Sequence, residues 1–191
     1  AYDPPVVGGH PREESMITPH LLQKLNDQIG LEYESANIYL QMSSWCAANG
    51  LDGCAAFLRT HTEEEMAHMR RLFDYVNEIG EMAIIPEIPK PRHEYENVRE
   101  LFAATLEHEK FITQKINELT AAAFKDQDFS TFNFLQWYVA EQHEEEALFK
   151  KILDLVDMVG HEGRGLYYLD KEITSIDAGV VAGPSANATI E

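Results

Sequence analysis

The stretch FLRTHTEEEMAHMRRLFDY, residues 57–75, decides the fold. Taken at alternating steps of three and four, one face carries Leu58, His61, Glu65, His68 and Leu72. That spacing is the period of an amphipathic helix. Leucines at both ends mark the face as buried, yet between them stand a carboxylate and two imidazoles. Glu65 and His68, three residues apart, share one side of the helix.

Working outward, three more stretches have the same period. The first starts at Thr18-Pro19, a capping residue before proline at the first helical position, and runs to about Ala48. The stretch around Glu65 spans about Asp52–Ile79, the third about Glu96–Phe124 and the fourth about Phe129–Val159. A shorter helical segment, about Gly165–Ser175, follows. No stretch alternates in the manner of a strand. Helices one and two share a tight turn, as do helices three and four, so each pair is antiparallel. Between the pairs, residues 81–95 contain Pro86, Pro89 and Pro91, which keep the chain extended. Such a segment reaches ~45 Å, about the length of a helix of ~28 residues. It therefore crosses the whole bundle and sets helices two and three parallel. The expected fold is all-α: a four-helix bundle with one long crossover and a short C-terminal fifth helix.

Every helix places an acid where a core residue belongs. Helix one reads Leu22, Leu25, Ile29, Glu32, Ala36, Tyr39, Ser43. Helix three reads Phe102, Thr105, Glu109, Ile112, Ile116, Leu119, and helix four reads Phe134, Tyr138, Glu141, Glu145, Leu148, Ile152, Leu155. Glu32 and Glu65 stand at matched depths on either side of the first turn, and Glu109 and Glu145 on either side of the second. The four acids therefore converge on one patch of the interior. Burying uncompensated carboxylates costs several kcal/mol each, and the core register holds no matching Lys or Arg. Shared protons or bound cations are the two remedies. Carboxylates with one imidazole and no thiolate suit iron or manganese. Glu, Glu-x-x-His, Glu and Glu from four helices nearly meets the di-iron carboxylate pattern. Helix four departs from the fuller pattern, with Gln142 for the first Glu and Glu145 for the His.

Composition narrows the function further. Lys+Arg 15 against Asp+Glu 33 gives a net charge of −18. Such a surface repels phosphate backbones and attracts cations, so no nucleic-acid partner is expected. No apolar run approaches the ~18 residues of a membrane span. Cys46 and Cys54 are too few for a disulfide scaffold and read as two buried reduced thiols. Residues 1–17 and 177–191 read as flexible tails around a 18–176 domain. The sequon at Asn187 is set aside as short and common. The chain opens at Ala1 without Met or a signal-peptide pattern. A cytoplasmic protein is expected, or an organellar one after removal of a targeting segment.

At these residues the sequence resembles the ferritins of the prokaryotic non-haem type. LEYESANIYLQMS, FLRTHTEEEMAHMRRLFDY, HEKFITQKINEL and TFNFLQWYVAEQHEEEALFKKI carry the likeness, which covers about residues 18–176. The resemblance implies a ferritin-like fold and a ferroxidase centre. Glu32, Glu65 and His68 would hold the first iron, Glu65 would bridge, and Glu109 and Glu145 would hold the second. Gln142 would sit beside them. It also implies a third iron site from Glu64, Glu141 and Glu144, with Glu145 shared. Tyr39 matches a tyrosine that can donate an electron during oxygen reduction. Fe(II) and O2 would be the substrates, ferric oxide the deposit, and a shell of twenty-four subunits the assembly.

Some features depart from relatives. The start of helix four reads Phe132-Asn133-Phe134-Leu135, where animal ferritins place acids at the threefold channel, so the iron route is left open. Met66 is placed like a haem-ligating methionine, but the second Glu-x-x-His is absent, so no haem is expected. Trp137 reads as packing. His61 reads as a satisfied buried histidine, and His10, His20, His93, His108, His143 and His161 as surface or packing residues. The alternative function is a di-iron peroxidase or oxygenase acting on another substrate. The CxxC pairs of a rubrerythrin-like peroxidase are absent from the sequence.

Overall fold

The structure is a computed structural model that describes residues 17–178. Expectations for residues 1–16 and 179–191, including both tails, His10 and Asn187, lie outside the described residues. Five helices follow in order: α1 (Pro19–Ala48), α2 (Asp52–Glu78), α3 (Val98–Lys125), α4 (Phe129–Val159) and α5 (Gly163–Ala178). The described residues contain no strand.

Local chemistry sets the ends. The Thr18 side chain accepts a hydrogen bond from the Leu21 N–H, with Pro19 opening α1. Asn97 and Asp128 cap α3 and α4 in the same way, accepting from Glu100 and Thr131. Asn97 is therefore the cap, and α3 begins at Val98, two residues after the sequence reading placed it. α5 starts earlier than expected and extends to Ala178, into the segment read as tail.

α1 packs on α2, α3 packs on α4, and α5 crosses the end of the bundle against α2 and α4. The crossover is seated on α1 by two contacts one turn apart. Asn26 Oδ1 accepts from the Ile84 N–H at 2.8 Å. A Cβ placed on Gly30 would come 2.3 Å from Pro86 Cγ, so only glycine lets the strap lie against the helix.

The core falls into two apolar clusters. One lies toward the α1–α2 turn and α5, with Tyr39, Phe57, Leu58, Phe102, Phe149 and Ile152. The other lies toward the α3–α4 turn, with Leu25, Ile29, Leu72, Ile112, Leu135 and Tyr138. Between them every long helix contributes a buried polar residue: Glu32, Glu65 with His68, Glu109, and Gln142 with Glu145. Near the helix ends the seam drifts. Leu21, Leu135 and Val156 are the buried residues there, while Leu22, Phe134 and Leu155 are half-buried. A true helix turns at 3.6 residues rather than the 3.5 of a strict three–four stripe, so the error grows away from the centre.

Candidate metal centre

The polar layer is assembled by register alone. On α1, Glu32 follows Ile29 by three residues, so it sits one turn along the buried stripe. Its Oε1 accepts from Gln28 Nε2 at 2.8 Å. Its Oε2 is buried and has no hydrogen-bond partner. On α2, His68 turns Nδ1 toward Glu65 Oε2 at 3.3 Å and Glu32 Oε2 at 3.9 Å. Ligand atoms from Glu32, Glu65 and His68 all lie within 4.8 Å of one another, and all three residues are buried. Those are the three residues that the resemblance implies for a first iron.

Glu109 enters from α3. The Tyr39 hydroxyl donates to its Oε1, and Gln142 Nε2 donates to its Oε2 at 3.0 Å. Glu145 enters from α4 and, like Glu32, keeps a buried Oε2 with no hydrogen-bond partner. It stands in a second group with His61 and Glu64, again within 4.8 Å.

The electrostatics follow from burial. Desolvation and the Glu65 charge push the Glu32 carboxyl well above the usual range. Desolvation and Glu109 do the same to Glu145. Burial pushes Glu109 up to about 7, against the opposing pull of the Gln142 amide. Burial alone lowers the His68 imidazole, but Glu65, Glu141 and Glu64 outweigh it and raise it. The layer is rich in carboxyl groups and short of basic ones, so their ionised forms lack compensation and a multivalent cation is the natural complement.

The remaining sequence-assigned residues separate. Glu141 is half-buried and its Oε1 stands 3.7 Å from His68 Nε2. Glu64 joins His61 and Glu145. Glu144 is exposed and belongs to neither compact group. Trp137 packs edge-on to His68 at 5.2 Å and lies under the Arg71 guanidinium at 4.5 Å. Met66 packs against the apolar cluster near the α3–α4 turn. His108 is half-buried, with Nε2 2.8 Å from Ser35 Oγ and its ring edge-on to Tyr39. Phe134 stacks on Tyr75 at 3.8 Å.

Two features escaped the sequence reading. Gln28 holds Glu32 from one turn earlier, a pairing visible in the four-residue spacing. The direction of the His61 ring had no sequence signal. Cys46 and Cys54 are both free and buried. Burial pushes the Cys46 thiol up to about 12 and raises Cys54 too. Neither is a reactive thiolate.

The profile of the Ferritin-like domain family matches residues 22–159. A bacterial non-haem ferritin of Escherichia coli is 52% identical over 162 residues, covering 85% of this chain and 98% of its own. A probable bacterial non-haem ferritin-like protein of Haemophilus influenzae is 51% identical over 161 residues, covering 84% and 98%. Among solved structures, the open-pore ferritin of the archaeon Archaeoglobus fulgidus superposes with a TM-score of 0.81 at 38% identity, over 83% of this chain and 96% of that one. The Chlorobium tepidum ferritin gives 0.75 at 48% identity, over 83% and 97%. Over most of its length, and through the whole polar layer of its core, this chain belongs to the ferritin family.

Proposed function

We propose that the protein stores iron, oxidising Fe(II) with O2 at a pair of sites in the polar layer and depositing ferric oxide inside a shell of twenty-four subunits. One observation carries this reading. Glu32 Oε2 and Glu145 Oε2 are buried without hydrogen-bond partners, each in a group of metal-ligating side chains. An orphaned carboxylate oxygen costs several kcal/mol, and a bound cation removes that cost.

Glu32, Glu65 and His68 hold one Fe(II), and Glu65 bridges to a second held by Glu109 and Glu145. Two ferrous ions side by side supply two electrons to one dioxygen. The hard carboxylate shell favours Fe(III) over Fe(II), which drives the oxidation. Gln142 donates to Glu109 and so orients it, leaving the carboxylate able to ligate through its other lone pairs. Tyr39, hydrogen-bonded to Glu109, stands where an electron or proton can pass between ring and site. Glu64, Glu141 and Glu144, sharing Glu145, make a third iron site on the more exposed side. Surplus negative charge draws cations to the shell.

Anaerobic titration with Fe(II), exposure to O2 and sizing of the product test the reading. Rapid oxidation at about two irons per chain, in a particle of roughly half a megadalton, is expected. Fast oxidation by a small dimer would point to a di-iron enzyme for another substrate. Replacing Glu32, Glu65, Glu109 and Glu145 together by leucine should abolish oxidation; unchanged activity would sink the site assignment.

A further inference from the structure

Between α2 and α4, side chains from the two helices alternate in one row. On α2, His68, Arg71 and Tyr75 follow at steps of three and four, so they share a face. On α4, Phe134 and Trp137 do the same. Trp137 meets the His68 ring edge-on, 5.2 Å between centroids and 75° between planes. The Arg71 guanidinium lies 4.5 Å over Trp137 and 5.5 Å over Phe134. Phe134 stacks on Tyr75 at 3.8 Å. Thr131 Oγ1 donates to Asp128, the cap of α4, and so accepts from the Tyr75 hydroxyl at 2.8 Å. One end of the row is tied to a helix cap, and the other end is a residue of the metal centre.

The His68 ring has few other guides. Its nitrogens stand 3.3 Å from Glu65, 3.9 Å from Glu32 and 3.7 Å from Glu141, at or beyond the limit of a good hydrogen bond. The Tyr138 hydroxyl holds the His68 backbone carbonyl at 2.7 Å, not the ring. Direction is left to the aromatic planes of Trp137 and Tyr138. Arg71 is the exposed member of the row, at the wall of a cavity of about 440 Å³ shared with Arg70, Asp74 and Glu78. Asp74 stands three residues further on, yet Arg71 has no ion pair among the described residues, and its charge lies on the two rings instead.

We propose that Arg71 is a positioning residue for the metal centre. It clamps the Trp137 indole, and the indole edge holds His68 Nδ1 toward Glu32 and Glu65. The inference deepens the proposed function and rests on it for the role of His68. A ring held in place before the ion arrives loses less freedom on binding, so the clamp raises affinity at the first site. The row touches neither Glu109 nor Glu145, so the second site is left as it is.

Co(II), whose visible spectrum reports the ligands around it, is the probe, added to the assembled, metal-free protein. H68Q identifies the part of the spectrum that belongs to the first site. R71M keeps the aliphatic stem and removes the charge, whereas R71K keeps a charge over the rings. R71M should weaken Co(II) at the first site by about 2–5-fold, the worth of an exposed cation–ring contact, with the second site unchanged. W137L should weaken it by about 10-fold. R71K should recover most of the loss. R59M, at an exposed arginine of α2 outside the row, should match wild type. R71M or W137L at wild-type affinity, R71M and R71K weakened alike, or both sites weakened together overturns the clamp and leaves the metal-centre reading standing. A wild-type spectrum that H68Q does not change overturns that reading as well. Should W137L fail to assemble, the Arg71 variants, at an exposed position, decide alone.

Discussion

The metal-free protein should lose stability as the pH rises toward neutrality. The Glu109 carboxyl ordinarily ionises near 4.5 and, buried in the folded chain, near 7. Between those values the folded chain keeps a proton that the unfolded chain has already released. Raising the pH therefore favours unfolding. Glu109 alone accounts for a loss of about 3 kcal/mol across the whole interval, and about 2 kcal/mol between pH 5.5 and 7.5. Glu32 and Glu145, raised by the same desolvation, act with the same sign. The measurement is urea or thermal unfolding of metal-stripped protein at fixed concentration, for wild type and E109Q. The glutamine has the size of glutamate and does not titrate. Wild type should fall faster than E109Q by about 2 kcal/mol over that pH range, or roughly 4–8 °C in midpoint for a chain of this size. Added Zn(II) should reverse the trend, since a metal takes the place of the protons and binds better as they leave. A metal-free wild type whose stability rises with pH, or runs parallel to E109Q, would refute the account of a desolvated, uncompensated carboxylate layer.

Four further outcomes follow from particular contacts. Y39F removes the only hydroxyl donating to Glu109 among the described residues; it should cost about 1–3 kcal/mol in melts and slow single-turnover oxidation without lowering Fe(II) stoichiometry. Lost iron binding in Y39F would instead make Tyr39 part of the binding set. G30A should destabilise by about 1–3 kcal/mol, although alanine favours helices, because its Cβ meets Pro86 Cγ at 2.3 Å. Part of that loss should return in G30A/P86A, and a stabilised G30A would refute the tight seating of the crossover. D170A removes the carboxylate that accepts from the Cys54 N–H at 2.9 Å, and should cost about 1 kcal/mol in melts and loosen α5, read by amide exchange at the start of α2.

The bundle was legible in the chain because its core runs at one period for four long helices. The acids at Glu32, Glu65, Glu109 and Glu145 interrupt that period at matched depths, and all four are buried where the stripe put them. Periodicity fails at the stripe's ends, as at Leu22 and Phe134, because small angular errors add with each turn. Periodicity is silent on the side residues of the layer: Glu64, Glu141 and Glu144 came as a group from the resemblance, and in the fold Glu64 lies near His61, Glu141 near His68, and Glu144 is exposed.

Sequence alone was enough for the helices, their pairing, the long crossover and the depth of the carboxylate layer, because each depends on spacing along one helix or on chain reach. Three things needed the folded coordinates. Pro86 meets Gly30 across 56 residues of chain, an encounter that no local pattern encodes. Gly53 is closed by the Asp170 carbonyl, since α5 returns to the start of α2. Nε2 of His61 faces Glu64 and Glu145 because Nδ1 is turned to the Phe57 carbonyl one turn away, while the Phe57 and Phe149 rings pack against the imidazole. A one-dimensional pattern says which face a side chain occupies; the direction of its donor atoms is settled by what packs around it.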